Sequence, residues 1–250
     1  MRMEDIDALK SLQIFRDVEA STFEGLLAPS FLQSFPAGTI LLEENRKADF
    51  LYIILDGLVQ MSASTSKSEA TVEILEPVSL FILAAILNDD VCLQTARTLT
   101  SARILMIPAR LVRDLMERDP AFMRSIVFEL ACAYRRTIKE LKNHKLRSGT
   151  ERLANWLLGE EKKQGGTGAL KIRLEKRLLA SRLGMTPENL SRSLASLAAH
   201  GVSIKGSQVA IADTAKLAVY ACPTPLIDES EPVLPRGGSV LLNSSVRFDN

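Results

Sequence analysis

The stretch 175–200, EKRLLASRLGMTPENLSRSLASLAAH, constrains the fold of this chain more than any other part of the sequence. Leu178, Leu179 and Leu183 recur at helical spacing and predict a short helix with one apolar side. Gly184 follows at once, and glycine readily adopts the left-handed conformation that a tight turn requires. The first half of the stretch therefore predicts a helix that ends in a sharp turn.

A second helix is predicted directly after this turn. Thr186 offers a hydroxyl N-cap, and Pro187 suits the first helical position, where its missing N–H has no partner in any case. The apolar side of this helix carries Leu190, Leu194 and Leu197. The opposite side presents Glu188, Ser191, Arg192 and Ser196. Together the two helices are predicted to form a helix-turn-helix with a polar outer face.

Such a polar second helix is suited to the major groove of DNA. Arg can donate to a guanine edge, and Glu can accept from the cytosine amino group. A helical hairpin in some other core is the alternative interpretation. Charge favours DNA binding, because the stretch 139–216 has 15 Lys and Arg against 7 Asp and Glu, whereas 1–138 has 14 against 19. A basic region that coincides with the motif is what phosphate binding needs, although a solvated basic face would have the same composition.

Length and cysteine usage limit the other functions. The 250 residues are 46% hydrophobic, which is enough for two domains with their own cores. We expect a cytoplasmic protein without membrane contact, since the sequence has no run of about 20 apolar residues and no signal-peptide core. Cys92, Cys132 and Cys222 are far apart, and with only His144 and His200 beside them they predict neither a zinc site nor an iron–sulfur cluster. No Ser/His/Asp set, phosphate loop or paired-carboxylate site stands out, so no enzymatic activity is expected.

Short strands separated by Gly, Asp and Pro turns are predicted in the first half of the chain. The predicted strands are 40–42, 50–55, 58–62, 71–75 and 103–107. Asp56 and Gly57 form a tight turn between two of them. This pattern is typical of a β-sandwich or jelly roll.

A long helix is predicted to begin at Asp119 and Pro120. Along it, alternating steps of four and three residues connect Met123, Val127, Leu130, Tyr134, Thr137 and Leu141. This heptad-like seam favours pairing with a second copy of the chain. Packing of the helix against its own β-domain is the alternative.

A wing and a tail complete the chain. Segments 202–204 and 208–211 are predicted to form a hairpin, and Lys205 at its tip could reach a phosphate. Prolines, glycines and acidic residues over 222–250 predict an extended tail, either disordered or draped over the body, with a further strand at 239–242.

The segment FPAGTILLEENRKADFLYIILDGLVQM, residues 35–61, resembles the cyclic-nucleotide-binding-type sensor domain of the CRP/FNR transcription regulators. The resemblance extends from Leu12 to Leu217 and includes the order of parts. It implies an α+β fold with a jelly-roll sensor domain (1–117), a dimerisation helix (118–146), a winged helix-turn-helix domain (147–221) and the tail (222–250). It also implies a homodimer that binds double-stranded DNA, with RNA polymerase as a further partner.

The recognition helix resembles the FNR-like branch of that family, which carries a Glu-x-x-Ser-Arg pattern and binds a TTGAT-type half-site. Glu188, Ser191 and Arg192 match the pattern, whereas the CRP branch has Gly in the place of Ser191 and Arg in the place of Pro187. Arg192 is then expected to donate to a guanine, Glu188 to accept from a cytosine, and Ser191 to make a smaller contact. The other expected DNA contacts are Thr186, Pro187 and Asn189 beside them, and Lys176, Ser181, Arg182 and Lys205 on phosphates.

The sensor domain departs from the members of the family that bind cyclic AMP. Those members carry a Gly-Glu pair and an Arg-Ser pair, because a buried phosphate needs a fixed cation. The matching place in this chain is apolar and Arg97 is displaced from it, so cyclic AMP is not expected. The cluster-binding cysteines of FNR are absent as well. The candidate effector pocket consists of Phe81, Ile82, Leu83, Ile86, Leu87, Leu93, Met123, Val127 and Tyr134.

Two interpretations of this apolar region stay open. One is a ligand site, which in the nitric-oxide-responsive branch of the family holds haem, and Cys92 and Tyr134 are the nearer candidates for an axial ligand. The other is a packed core without a ligand, which would make the domain a ligand-independent sensor or a module that binds a protein partner.

Overall fold

A computed structural model describes residues 2–15 and 18–229 of the chain. The helices are α1 (Met3–Ser11), α2 (Ala20–Leu27), α3 (Leu83–Asn88), α4 (Ala109–Arg118), α5 (Pro120–Leu146), α6 (Gly149–Lys163), α7 (Lys176–Arg182), α8 (Pro187–Ser196), α9 (Thr214–Ala221) and α10 (Pro225–Asp228), with 3-10 turns at Gln13–Phe15 and Leu197–His200. The strands are β1 (Phe31–Phe35), β2 (Ile40–Leu42), β3 (Phe50–Asp56), β4 (Val59–Ser64), β5 (Glu69–Leu75), β6 (Ser79–Phe81), β7 (Thr95–Thr98), β8 (Ala102–Pro108), β9 (Ala169–Lys171), β10 (Val202–Lys205) and β11 (Gln208–Ile211). None of the helices in the described ranges combines the length and the apolar character of a membrane span.

Two four-stranded antiparallel sheets face each other in the N-terminal domain. Their strand orders are β1-β8-β3-β6 and β2-β7-β4-β5. The central strand β3 is buried on both faces, because Ile54 packs between the sheets whereas Leu51 and Ile53 pack under helices. Burial on both sides explains why the sequence of β3 is a continuous apolar run instead of an alternating one. The predicted α+β fold with a jelly-roll sensor domain is confirmed.

Helices cover the outer face of the first sheet and anchor the long helix α5. The Asp119 carboxylate accepts hydrogen bonds from the amides of Ala121 (2.8 Å) and Phe122 (3.1 Å), which caps the start of α5. Phe122 and Ile126 are fully buried in the core that α1, α2 and α4 share with the sheet. The first two turns of α5 therefore belong to the β-domain, and the rest of the helix extends from it.

The C-terminal domain has a core of its own. Helices α6 to α9 pack with the three-stranded sheet β10-β11-β9 around leucines that include Leu153, Leu157 and Leu217. Helices α7 and α8 are joined at Gly184, whose φ of 61° lies in the left-handed region. The predicted helix-turn-helix and its wing are thus both present, with the wing formed by β10 and β11.

The described part of the tail is not extended throughout. Residues 225–228 form the helical turn α10, which packs against α5. The suggested strand at 239–242 lies outside the described residues. At the other junction, Arg147 and Ser148 connect α5 to α6, and we call these two residues the hinge.

Candidate nucleic-acid interface

The orientation of α8 is fixed by its own sequence. The Thr186 hydroxyl accepts a hydrogen bond from the Asn189 amide at 3.2 Å, and Pro187 occupies the first turn. Leu190 and Leu197 are fully buried in the core of the C-terminal domain. Because the leucines are held behind the helix, the residues on its other side face outward.

Glu188 is exposed on this outward side of α8. Hydrogen bonds from its own backbone amide and from the Thr186 hydroxyl hold the pKa of its carboxyl below the ordinary value, and the charges of Arg192 and Lys176 act in the same direction. The group is therefore an ionised carboxylate at neutral pH. Such a carboxylate can accept from an exocyclic amino group like that of cytosine.

Arg192 lies one turn further along the same side and is also exposed. Its Nη2 donates to the side-chain oxygen of Asn189, and a guanidinium has further donors for a base edge. Ser191 differs, since it is half-buried and its hydroxyl donates to the Pro187 carbonyl oxygen at 2.7 Å. In this rotamer Ser191 can only accept a hydrogen bond from a DNA group.

Helix α7 is engaged with the β-domain in this structure. The hydroxyl of Ser181 accepts a hydrogen bond from the Thr71 amide at 2.9 Å, and α7 packs along β5. On the same strand, burial raises the pKa of the Glu73 carboxyl, and the nearby charges of Arg136 and Arg182 offset that effect in part. Ser181 and Arg182, expected to hold phosphates, are thus half-buried beside β5. They do not share the open surface of α8.

Two lysines from the predicted set stand apart from α8. Lys176 is exposed at the start of α7. Lys205 is exposed at the end of β10, where it pairs with Gln208, and Gly206 (φ 64°) forms the tip of the wing. Both side chains are available to solvent, and their phosphate contacts stay predictions.

A cleft of about 420 Å³ lies between the start of α6 and α8. Its polar lining includes Thr150 and Ser193, whose hydroxyls are 2.9 Å apart and hydrogen-bonded, as well as Arg192. The cleft places small hydroxyl groups directly beside α8. Sequence analysis did not identify it, because its two walls are 43 residues apart in the chain.

Arg152 is a buried cation that sequence analysis also missed. Its Nε donates to the Leu183 carbonyl oxygen (2.9 Å) and its Nη1 to the Arg147 carbonyl oxygen (2.7 Å). One partner belongs to the turn before α8 and the other to the hinge. Arg152 therefore ties the hinge to the helix-turn-helix. Its local sequence does not distinguish it from the exposed arginines, because its partners come from two other segments.

The predicted seam of α5 lies largely on the surface. Its exposed members are Met123, Val127, Tyr134, Thr137 and Leu141. Leu130 is half-buried and packs against the core of the β-domain. A row of exposed apolar side chains along one helix is typical of an interaction surface.

The nine predicted effector-pocket residues do not come together in one cavity. Phe81 lies in the core between the sheets and stacks on Tyr52, with ring centroids 5.1 Å apart. Leu83 and Ile86 lie in the other core, under the helices, and Leu93 is exposed. The remaining members are Ile82 and Leu87, which are partly buried, and Met123, Val127 and Tyr134, which are exposed on α5. In this arrangement the region is divided between packed core and surface.

The candidate axial ligands for haem are equally separated. Cys92 is buried between the sheets, and burial raises the pKa of its thiol, which disfavours the thiolate that binds iron. Tyr134 is exposed on α5, and His144 lies against Gly184. Within the described part of the chain, no cluster of three or more His, Cys, Asp or Glu side chains could hold a metal ion. The sensor domain therefore does not present a set of residues that fits haem.

Comparisons with known proteins cover both domains. A cyclic nucleotide-binding domain model matches residues 32–119, and a Crp-like helix-turn-helix domain model matches residues 151–220. The CRP-like cAMP-activated global transcriptional regulator of Mycobacterium tuberculosis is 26% identical over 211 residues, which are 82% of this chain and 94% of that protein.

Solved structures show the same architecture. A protein from Ruegeria pomeroyi that is named for cyclic nucleotide binding has 29% sequence identity and a TM-score of 0.60, over 87% of this chain and 99% of that one. A regulator of the crp/fnr family from Eubacterium rectale has 19% identity and a TM-score of 0.68, over 84% of this chain and 98% of that one. Both domain models match in the order in which the fold presents them, on either side of α5. The chain is a transcription regulator of the CRP/FNR family.

Proposed function

We propose that this regulator binds, as a homodimer, a palindrome with TTGAT-like half-sites, under the control of an effector that acts at the β-domain. The observation that carries the proposal is the outward side of α8, where Glu188 and Arg192 are exposed while Leu190 and Leu197 are buried. These two polar residues are four positions apart on one helix face, so they can meet neighbouring base pairs in the major groove.

The proposed contacts follow from the chemistry of each side chain. Arg192, steadied by Asn189, donates to the O6 and N7 acceptors of a guanine. Glu188 accepts from the amino group of a cytosine. Each such contact contributes about 1–3 kcal/mol of discrimination against the wrong base. Lys176 and Lys205 add phosphate contacts that do not depend on sequence.

Dimerisation through α5 would place two copies of α8 on one face of the duplex. The exposed apolar seam from Met123 to Leu141 supports this arrangement, since its burial requires a partner. Two-fold symmetry then matches a palindrome with half-sites one helical turn, or about 34 Å, apart. RNA polymerase is proposed as a further partner on the family resemblance alone.

The apolar core of the β-domain favours an effector other than a cyclic nucleotide. Relatives from Mycobacterium tuberculosis and Ruegeria pomeroyi are named for cyclic AMP or cyclic nucleotides. In this chain, however, the core between the sheets is apolar around the Tyr52–Phe81 stack. Ala96 is buried there, and its neighbour Arg97 points to the opposite face of the sheet, because side chains alternate along a strand. A cyclic phosphate in the core would lack its cation.

Haem is the second candidate for the effector, by resemblance to the nitric-oxide-responsive branch. It would require a rearrangement that brings an axial ligand to the sensor domain, because Cys92 is packed inside a core and Tyr134 lies outside. An absorption spectrum of the purified protein during haem titration tests this candidate. A shifted Soret band would support it, and an unchanged spectrum would remove it.

The test of DNA reading compares two arginine substitutions by fluorescence anisotropy on a TTGAT palindrome and on a scrambled duplex. We expect Arg192→Ala to weaken binding to the palindrome by about tenfold or more and to change binding to the scrambled duplex much less. Arg110→Ala is the matched control, because Arg110 is an arginine of α4 whose side chain is 88% exposed. If Arg192→Ala binds the palindrome as tightly as the Arg110→Ala protein does, the proposed base contact is wrong.

A further inference from the structure

The segment that follows the winged helix-turn-helix domain turns back onto the long helix. We call residues 223–229 the strap; they lie beyond residue 220, where the match to the Crp-like helix-turn-helix model ends. The strap contains α10, which packs against α5. At its end, the Glu229 carbonyl oxygen accepts a hydrogen bond from Lys139 Nζ at 2.8 Å.

The strap holds the hinge residue Arg147 through a bidentate ion pair. Arg147 Nη1 is 2.8 Å from Asp228 Oδ1, and Arg147 Nη2 is 2.6 Å from Asp228 Oδ2. The Arg147 side chain is only 7% exposed and that of Asp228 is 28% exposed. Two parallel charge-assisted bonds in a shielded position make this contact stronger than an ordinary surface ion pair.

Both partners of this ion pair are fixed by further hydrogen bonds. Asp228 Oδ2 also accepts from the Thr224 amide at 2.6 Å, which closes the strap on itself. Arg147 Nη1 also donates to the Asn143 side-chain oxygen at 3.1 Å. The carboxylate and the guanidinium therefore meet in one defined geometry instead of sampling many.

The ion pair is connected to the recognition machinery through the hinge backbone. The carbonyl oxygen of Arg147 accepts from Arg152, and Arg152 also donates to Leu183 in the turn before α8. A change in the angle between α5 and α6 would move Arg147 relative to Asp228 and Arg152 together. The strap thus opposes such a change.

The strap leaves the proposed dimer seam uncovered. An α-helix has 3.6 residues per turn, so Lys139 and Asn143 lie about 140° and 180° around α5 from Tyr134. The strap therefore binds the side of α5 that is roughly opposite the seam. A dimer and a closed strap are compatible.

We propose that the strap locks the hinge and thereby restrains DNA binding, by holding the C-terminal domain in the arrangement in which β5 engages α7. In that arrangement β5 packs against the side of α7 that carries Ser181, whose hydroxyl accepts from the Thr71 amide, and Arg182 lies near Glu73. The restraint rests on the proposed DNA binding and, in addition, on the expectation from the sequence that Ser181 and Arg182 bind phosphates. Because β5 covers this side of α7, a DNA phosphate cannot lie there at the same time, and opening the strap favours DNA.

The test uses full-length Asp228→Ala and the milder Asp228→Asn, with hydrogen exchange and DNA binding as separate measurements. We expect amide exchange over residues 144–149 to become about tenfold faster in Asp228→Ala, since the hinge opens more often. We also expect this variant to bind a duplex of unrelated sequence several-fold more tightly. That probe reports phosphate contacts, so the result does not depend on the proposed half-site. Asp89→Ala is the control, because Asp89 forms an ion pair with Lys47 (3.0 Å) in the β-domain.

The two measurements fail separately. Unchanged exchange at the hinge in both folded Asp228 variants would overturn the lock. Faster exchange without tighter DNA binding would overturn the restraint on DNA. An effect of equal size in Asp89→Ala would show that any lost ion pair has the same consequence and would overturn the assignment to the strap. Failure of the wild-type chain to prefer the TTGAT palindrome would count against the operator alone.

Discussion

At the scale of single residues, Gly184 determines how closely the helix-turn-helix can approach the long helix. Its φ is 61°, and a Cβ added there would lie 2.6 Å from His144 Cε1. We expect Gly184→Ala to lower the free energy of unfolding by about 1–3 kcal/mol, because it adds backbone strain and a clash with the imidazole. Chemical denaturation of the purified variant measures this loss.

Gly206→Ala separates the two causes. Gly206 has nearly the same φ, 64°, but a Cβ added there would meet no atom within 4 Å. We therefore expect a smaller loss for Gly206→Ala than for Gly184→Ala, and partial recovery when His144→Ala is combined with Gly184→Ala. Equal losses for the two glycines would mean that His144 does not limit the approach.

The residues of α8 could be predicted from the sequence, whereas the contacts of α7 could not. The leucine spacing places Glu188 and Arg192 outward, because the period of a helix fixes which side is buried. Ser191 follows another local rule, in which a serine donates to the carbonyl one turn before. By contrast, the Thr71 amide that reaches Ser181 is 110 residues away, and no local pattern reports it.

At the scale of elements, α5 has one anchored and one exposed portion. We expect Val127→Glu to weaken dimerisation by tenfold or more, which corresponds to about 1.4 kcal/mol or more of binding free energy. The reason is that two-fold symmetry brings the two new carboxylates together in an apolar seam. Sedimentation equilibrium measures the dimer dissociation constant. Val219→Glu on α9 is the control, because it makes the same substitution at an exposed valine outside the seam. Val219 is 79% exposed and Val127 is 58% exposed. Equal weakening by both substitutions would argue against the seam.

Elements with a strong local pattern could be predicted, and those held by distant partners could not. The continuous apolar run of β3 and the Asp119 cap of α5 are visible in the sequence because their causes are local. The turn α10 is too short to show a helical period. It is fixed by Arg147, 81 residues before Asp228, so the sequence predicted only an extended tail there.

At the scale of the whole molecule, three contacts set the position of the C-terminal domain. The first is the packing of α7 on β5, the second is the Arg152 bridge between the hinge and the turn before α8, and the third is the strap. At the β5 contact, the carboxyl of Glu73, a residue that keeps solvent-exposed surface, lies near charged side chains of α5 and α7.

Glu73 makes the β5 contact sensitive to protonation. The carboxyl of Glu73 faces Arg136 and Glu140 of α5 and Arg182 of α7. Burial raises the pKa of this carboxyl and outweighs the two arginines, which lower it. If docking on α7 raises the pKa of a carboxyl, the protonated carboxyl favours the docked form. This stabilisation is complete at a pH below the ordinary pKa and is lost as the pH rises through the raised pKa. The ionised carboxylate therefore opposes docking at neutral pH.

Removing that charge should strengthen the docked arrangement. We expect Glu73→Gln at pH 7 to slow amide exchange at Thr71 and to weaken binding to a duplex of unrelated sequence, because more molecules keep Ser181 and Arg182 against β5. NMR-detected exchange and fluorescence anisotropy measure the two effects, with Glu69→Gln at the exposed start of β5 as the control. Faster exchange at Thr71 in Glu73→Gln would show that attraction from Arg136 and Arg182 outweighs the cost of burying the charge. The Glu73 charge would then stabilise the contact between β5 and α7.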